Sequence, residues 1–600
     1  MCGISGAFSW AASAASPSKA DVQRVRDQMW RRGQDGSGFW ASASGRAMFG
    51  HRRLAIIDLD VRSRQPMSNG PLTLVFNGEI YNYRALRAEL QLDGWTFSTE
   101  GDSEVILALF RRDGITAFDR LRGMFAIAIF DERDQSLTLA RDPYGIKPLY
   151  VGTVPGQCWF ASQVKALRTV PHLSSDPDPA GLTGFHLWGS VPEPFTLYRS
   201  IRSLPAGHWQ RIDRHGATDP VQYASVAQAL AEATVAREEQ LEDVVVAAIR
   251  DSVAAHLIAD VEAGVFLSGG IDSATLLGAM TNLAGPGIKS ITIGFEDYRG
   301  TQLDEVPVAS ETARQFGARH IIEWLTRADL DANLESVLSA MDQPSIDGVN
   351  SWFASRAAHR AGLKIALSGL GADELLAGYS NFDAVPALHR RARHLARLPF
   401  LAVVADWTLR HGLAGFDRKH HKASGVLRLG GTLSGAYFLR RALLVPSRLH
   451  GALDDEVARI GLEQLQPIRC VAATLKPEPA TDTQRMIVLE SCNYMKNQLL
   501  RDSDWASMAH TLEVRLPFVD WPTLQRIAPV SRWLGQRRGK RALGNVPAPH
   551  LSEELLNRPK SGFAMPLNTR VAASSTLESS GSRAWAARVA AAFTPSTRVA

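Results

Sequence analysis

Cysteine is scarce, with four residues (Cys2, Cys158, Cys470 and Cys492) in a chain of 600. So few and so scattered, with no C-x-x-C pair, they exclude a disulfide framework and a paired-cysteine zinc or redox site. Long apolar runs are missing as well. No stretch of about 18 consecutive apolar residues occurs, which excludes a membrane-spanning helix. The first residues also lack the basic segment that precedes a signal h-region, so a cytoplasmic location is expected. Nor is there a large excess of one charge: 66 Lys and Arg stand against 61 Asp and Glu, a formal +5. Spread over so large a surface, that excess argues against a nucleic-acid or membrane-surface partner. Internal repeats are absent. With 45% hydrophobic and 21% charged residues the composition is that of a globular protein too long for one core, and two or three domains are expected.

The first 150 residues are rich in short β-prone runs punctuated by Gly, Asp and Asn. Ala47 to Asp58, Leu72 to Asn77, Gly123 to Asp131 and Ser136 to Arg141 read as strands. Apolar residues recur at helical spacing over Asn82 to Leu92 and Ser103 to Arg112, which predicts an α+β domain of helices on antiparallel sheets. From about Asp213 to Gln240 the chain turns polar and Ala-rich and loses strand character, so the inter-domain connection is placed there. Beyond Leu241 strand, glycine turn and helix alternate. Ala263 to Leu267 precedes a helix from Ser273, Ile288 to Phe295 follows, and Leu363 to Leu367 leads into a second glycine turn. That alternation predicts a parallel, doubly wound sheet with ligands at the carboxyl ends of its strands. Ala387 to Leu398, lying between two prolines, and Arg485 to Met508 read as helical. Leu388 to Arg397 is basic and is read as a solvated face. The Ala- and Ser-rich tail past Leu567 is expected to be poorly ordered.

Two glycine turns and the amino terminus carry chemistry. Ser268-Gly269-Gly270-Ile271-Asp272-Ser273 lies between a predicted strand and a predicted helix. Its glycines admit close backbone approach, its N–H and hydroxyl groups face an anion, and Asp272 can hold Mg²⁺. It has no Walker lysine, so it reads as a pyrophosphate cradle distinct from the kinase P-loop. Ser368-Gly369-Leu370-Gly371-Ala372-Asp373-Glu374 is a weak signal alone, a helix start with favourable acids. Its weight comes from pairing with the first turn, where Asp373 shares a metal with Asp272. At the amino terminus, removal of the initiator Met gives Cys2 both a thiol and a free α-amine, which titrates near pH 8 and serves as the base. Asn77-Gly78-Glu79 reads either as a hairpin turn or as an oxyanion site built from the Asn amide and a glycine N–H. Arg53 and Asp102, each taken alone, read as ordinary surface charges.

Taken together, MCGISG, HRRLAIID (51–58), QPM (65–67), NGEIYNY (77–83), GDSEVI (101–106) and the GMFAIAIFD…LARDPYGIKPLY run (123–150) resemble class II glutamine amidotransferase domains. SGGIDS, GLGADELLAGY (369–379), MAHTLEVRLPFVD (508–520) and RPKSGF (558–563) resemble the synthetase part of glutamine-hydrolysing asparagine synthetases and their relatives. The resemblance runs in unbroken order from Cys2 to about Leu567. It implies an N-terminal Ntn-hydrolase α/β/β/α sandwich over residues 2–212 and a connection over 213–240. A PP-loop ATP pyrophosphatase domain with extra helices spans 241–567, and a low-complexity tail covers 568–600.

The resemblance also assigns roles. Cys2 attacks the side-chain amide of glutamine, and Asn77 and Gly78 hold the oxyanion. Arg53 takes the substrate α-carboxylate, while Asp102 and the Glu79 segment take its α-ammonium, the charge complement a free amino acid requires. Ammonia passes through the interior to the second site. There Leu267, Ser268, Gly269, Gly270, Asp272, Ser273, Ile293, Ser368 and Gly369 match ATP-binding positions. Asp272 and Asp373 bind Mg²⁺, and Lys560 stabilises the charge that develops during adenylation. A carboxylate is activated as an acyl-adenylate with loss of pyrophosphate, and ammonia displaces AMP. A homodimer follows from the family alone.

The departures bear on the acceptor. Leu370 stands where asparagine synthetases carry a Glu tied to forming or aminating the aspartyl-adenylate, and leucine can do neither. Gln34 for a usual Pro and Ala274 for a usual Ser are minor. Asp342-Gln343-Pro344 with SIDGVN fits a broader bacterial branch, some members of which amidate other carboxylates, including uronic acids of surface polysaccharides. Three readings follow: aspartate converted to asparagine, the same chemistry on another acid, and a weakly active regulatory homologue. The joint presence of Cys2, Asn77, Asp272, Asp373 and Lys560 speaks against the third.

Overall fold

A computed structural model describes residues 2–11, 13–395, 422–558 and 581–593. The first half holds two antiparallel sheets. One orders its strands Ile201–Ser203, Tyr150–Val154, Gln157–Ala161, Gly3–Ser9, Ala47–Arg53 and Gly36–Ala41. The other runs Gly216–Ala217, His208–Asp213, Ser136–Arg141, Gly123–Asp131, Leu72–Ile80 and Met67–Asn69, with Val221–Gln222 pairing to His208–Asp213. Period-2 side chains from both sheets, among them Ile4, Phe8, Phe49, Val75, Phe130, Leu137, Leu139 and Phe160, interdigitate in one buried cluster. Lys19–Gln28 packs its Val22 and Val25 on the outer face of the first sheet, and Asp102–Asp113 packs on the second. The result is an α/β/β/α sandwich, the layering expected for this half.

The second half is built on a five-stranded sheet ordered Arg319–Leu325, Lys289–Phe295, Ala263–Phe266, Ile365–Leu367 and Glu513–Arg515, every adjacent pair parallel. Ala263–Phe266 is central, and the chain crosses to opposite sides of it for its neighbours. The two glycine turns therefore emerge side by side at the carboxyl edge, the switch point where such sheets bind ligands. Among the described residues, no helix is long and apolar enough to cross a membrane.

Three stretches differ from the sequence reading. The expected connection carries strands Gly216–Ala217 and Val221–Gln222 and the helix Val226–Ala231, which buries Val226, Ala227 and Leu230. Its three apolar positions at helical spacing were outweighed by the polar composition around them. The helix expected to start at Ala387 runs over Asn381–Leu395 with Pro386 inside it. As the sixth residue of the helix, Pro386 has no N–H to donate to the Phe382 carbonyl, and the helix continues past it. In the tail expected to lack order, Gly581–Phe593 is a helix that buries Ala584, Trp585, Ala586 and Val589. Alanine is the strongest helix former, and Trp585 supplies the anchoring area.

The halves are joined by buried ion pairs. Arg32 donates two hydrogen bonds to Asp504 at 2.6 and 2.9 Å and a third, from Nε, to the Cys2 carbonyl at 3.1 Å. Both side chains are almost wholly buried, so losing either partner costs about 3–5 kcal/mol. The Asp342 carboxylate accepts the N–H groups of Val164 and Lys165, capping a helix of the first half with an acid of the second.

Candidate functional site

Cys2 immediately precedes the edge of Gly3–Ser9, where Gly3 pairs with Arg52, so the thiol lies beside Arg53. Asn77 and Gly78 are interior to Leu72–Ile80, not in a hairpin turn. The Cys2 backbone nitrogen donates to Asn77 Oδ1 at 3.0 Å, while the buried Asn77 Nδ2 has no hydrogen-bond partner among the described residues, a donor able to meet an oxyanion. Gly78 has φ +156°, and a Cβ there would strike the Met124 carbonyl oxygen, so only glycine fits. Arg53 is anchored by the Asp60 carbonyl at 2.9 Å and by the Asp58 carbonyl. Asp102 begins its helix and accepts the Ile80 N–H at 3.1 Å. Cys2, Arg53, Gly78, Glu79 and Asp102 thus line one cavity, which the structure holds nearly closed at about 30 Å³, the share of a single water.

Burial governs the charges there. It pushes the Cys2 thiol up, with nearby positive charge offsetting only part. Burial also raises the Asp102 carboxyl to about 6, although the Ile80 N–H pulls the other way. Glu79 is held well above the usual carboxylate range by burial and then by the neighbouring Glu513, with Arg515 partly relieving it. Arg515 belongs to the second half. Its guanidinium lies 3.5 Å from Glu79, donates to Glu513 at 2.6 Å and is fully buried. Its own carbonyl accepts the N–H of Ser368 at 2.9 Å. One strand residue therefore meets Glu79 of the first cavity with its side chain and the second glycine turn with its backbone.

At the sheet edge a cavity of about 680 Å³ is lined by Ser268, Gly269, Gly270, Asp272 and Asp373. Ser273 turns its hydroxyl back to accept the Ser268 N–H at 3.0 Å and so fixes the turn. The Gly269 N–H donates to the Glu305 carboxylate at 3.3 Å, so the cradle already binds an anionic group of its own chain. Leu267 and Ile293 are buried strand residues, and Ser368 and Gly369 pack behind Asp272; none of the four lines this cavity. Lys560 lies outside the described residues.

Three basic residues escaped the sequence reading. Lys540 is buried between the two acids, at 2.9 Å from Asp373 and in contact with Asp272. Burial alone would depress its pKa, but the two carboxylates outweigh that and hold the ammonium above its ordinary value. Arg537 also lines the cavity, and Arg558 donates to the Gly269 carbonyl at 2.8 Å. Lys540 and Arg537 sit in the run GQRRGKRAL, which reads as a solvated basic stretch, and only the RPKSGF motif flags Arg558. The donor set fits Mg²⁺, since Asp272 and Asp373 converge on one cation, and this ion takes one or two carboxylates plus phosphate oxygens. Leu370 is half-buried against the core and brings no charge.

A chain with this first cavity, an amino-terminal cysteine beside an unpartnered amide donor, belongs to the class of glutamine amidotransferases. Residues 1–224 match the glutamine amidotransferase domain family and residues 245–590 match asparagine synthase. The chain belongs to the asparagine synthase family. It is 31% identical to glutamine-hydrolysing asparagine synthetase 1 of Bacillus subtilis over 94% of this chain and 87% of that protein. It is 32% identical to asparagine synthetase B of Escherichia coli over 64% and 66%. A Gibberella zeae protein named amidase chry2 is 25% identical over 94% and 89%. The family's second half uses ATP.

Proposed function

We propose that the protein amidates a carboxylate at the expense of ATP, with glutamine as nitrogen donor and an acyl-adenylate as intermediate. The observation that carries this reading is the presence in one chain of two cavities, one lined by Cys2, Arg53 and Asp102 and the other by the glycine turn with Asp272 and Asp373. In the first, Cys2 sulfur adds to the amide carbon of glutamine and the Asn77 amide faces the resulting oxyanion. The C–N bond then breaks, ammonia leaves, and water releases glutamate from the thioester. Arg53 orients the α-carboxylate, and Asp102 and Glu79 receive the α-ammonium. In the second, the cradle N–H groups, Lys540 and Arg558 face the phosphates. When bound between Asp272 and Asp373, Mg²⁺ supplies charge neutralisation of the pyrophosphate as it leaves. Lys560 joins this group by family position. Ammonia crosses the interior between the cavities and displaces AMP.

Aspartate, with asparagine, glutamate, AMP and pyrophosphate as products, is the acceptor that the names of the relatives favour. Leu370 favours a different acid, a uronic acid among them. The test is pyrophosphate release from ATP, Mg²⁺ and ammonium chloride with aspartate and then with a panel of acids, the amide being followed by mass spectrometry. Release with any acid, accompanied by its amide, supports the reading. Silence with all of them supports a regulatory homologue instead.

A pH dependence follows from Asp102. Its carboxyl is neutral below about 6 and charged above, so capture of the glutamine ammonium strengthens as pH rises through that value. The α-amine of Cys2 must also lose its proton, near pH 8. The logarithm of kcat/KM for glutamine should therefore rise with a slope of about 2 below pH 6 and about 1 from there towards pH 8. Asp102→Asn should raise KM and leave a slope of about 1 throughout. A wild-type slope of 1 from pH 5 upward would remove Asp102 from this role.

A further inference from the structure

Arg53 does not hold its place unaided. Its guanidinium is anchored on the carbonyls of Asp58 and Asp60, which belong to a stretch, 54–60, without regular structure. Leu54, Ile56 and Ile57 of this stretch form a wall of the glutamine cavity. Asp58 has φ +49°, a conformation that a residue with a side chain keeps only where its surroundings fix it. Its carboxylate is fixed from within the first half, accepting the N–H groups of Asp60 at 3.1 Å and Glu100 at 2.7 Å. Its peptide groups are held differently. The carbonyl takes Arg53, while the N–H donates to the carboxylate of Asp260, a residue of the second half, at 2.7 Å. Asp260 also donates its own N–H to the Ile56 carbonyl at 3.0 Å.

A second tie grips the other side of Arg53. The N–H of Asp35 donates to the Arg53 carbonyl at 3.0 Å, and its Oδ2 accepts the Ala55 N–H at 2.8 Å. The same oxygen accepts the ammonium of Lys364, again from the second half, at 2.8 Å. Asp260 lies just ahead of the strand Ala263–Phe266, and Lys364 immediately precedes Ile365–Leu367. These two strands are paired neighbours, with Ala263 in register with Ile365, and their carboxyl ends lead into the two glycine turns. The stretch that holds Arg53 is therefore seated on the amino-terminal edge of the very strands whose opposite edge forms the nucleotide cavity.

We infer that Asp260 and Lys364 are positioning residues of the glutamine site: they hold the 54–60 stretch so that the Arg53 guanidinium faces the substrate α-carboxylate, and glutamine capture draws on the ATP-using half. The inference rests on the reading of the first cavity as a glutamine site. Both residues act through backbone groups on either side of Arg53, so they bear on binding of glutamine and not on attack by Cys2.

The test is steady-state glutamine hydrolysis by Asp260→Ala and Lys364→Met, singly and combined. Each substitution should raise KM for glutamine by about 3- to 10-fold and leave kcat unchanged. The Lys364 pair is half-exposed, so its variant belongs at the lower end. Asp260→Asn keeps a carbonyl oxygen for the Asp58 N–H, and Lys364→Arg keeps the cation, so both should restore the wild-type KM. Covalent labelling of Cys2, followed by mass spectrometry, separates positioning from damage. A diazoketone analogue of glutamine binds through Arg53 before it alkylates the thiol, whereas iodoacetamide has no α-carboxylate to bind. The first reagent should slow by the factor by which KM rises, and the second should react as in the wild type. If Asp260→Ala does not fold, Lys364→Met, which removes only a half-exposed ion pair, decides. An unchanged KM in the combined variant overturns the inference and leaves the glutamine site standing. Equal slowing of both reagents puts the effect at Cys2 itself and overturns it as well. A wild type that neither hydrolyses glutamine nor takes the analogue overturns the glutamine reading and the inference together.

Discussion

Cys2→Ala is expected to lower glutamine hydrolysis by at least about 10⁴-fold, while amidation supported by ammonium chloride proceeds at a rate close to that of the wild type. The large loss follows from the chemistry of the first cavity. No other thiol lies in it, and Asn77 and Arg53 can bind glutamine but cannot attack it. Retention of the ammonia reaction follows from distance along the fold. The Cys2 side chain is small and its thiol donates to the Leu54 carbonyl at 3.9 Å, whereas the buried link between the halves runs through the Cys2 backbone oxygen, which alanine keeps. Glutaminase assays and ammonia-dependent pyrophosphate release on the same preparation check both statements. Loss of the two activities together would show that the cavities do not act separately.

The reciprocal result is expected from Asp272→Asn and from Asp373→Asn. Each should reduce pyrophosphate release by about a hundred- to a thousandfold, the usual cost of removing one preorganised electrostatic group from a transition state. Each should also leave glutamine hydrolysis intact. Two carboxylates facing one buried lysine are a costly arrangement unless it serves a divalent ion and a polyphosphate. Conversion of either acid to an amide weakens the hold on Mg²⁺, so the residual activity should need a higher Mg²⁺ concentration to saturate. Titration of pyrophosphate release against Mg²⁺ gives that shift, and an unchanged Mg²⁺ dependence in both variants would place the ion elsewhere.

Much of this architecture was legible because its signals are local. Gly123 to Asp131 and Ser136 to Arg141 alternate or run apolar between turn residues, and both are strands with those bounds. SGGIDS follows an apolar run and opens a helix, which starts at Ile271. Cys2, Arg53, Gly78, Glu79 and Asp102 do line one cavity, with Asn77 bonded to the Cys2 backbone beside it, yet only the family resemblance brought them together; nothing in the spacing of Arg53 and Asp102 does so. Lys540 was missed for a physical reason. Its partners are 268 positions away at Asp272 and 167 at Asp373, and a lysine among arginines looks solvated until the sheet edge closes over it. The connection and the tail misled for the opposite reason, because Ala-rich, polar composition conceals three or four anchoring apolar side chains.

The pairing of Arg32 with Asp504 has a bearing on how the molecule is made. The two lie 472 residues apart, so the ribosome, adding about 5–20 residues per second, delivers the acid roughly half a minute to a minute and a half after the arginine. During that interval the nascent first half lacks the carboxylate that holds Arg32 against the Cys2 carbonyl, and the Arg515 side chain that will face Glu79 is also still to come. The nucleophile therefore reaches its final setting only after the last strand of the ATP-using sheet has been synthesised.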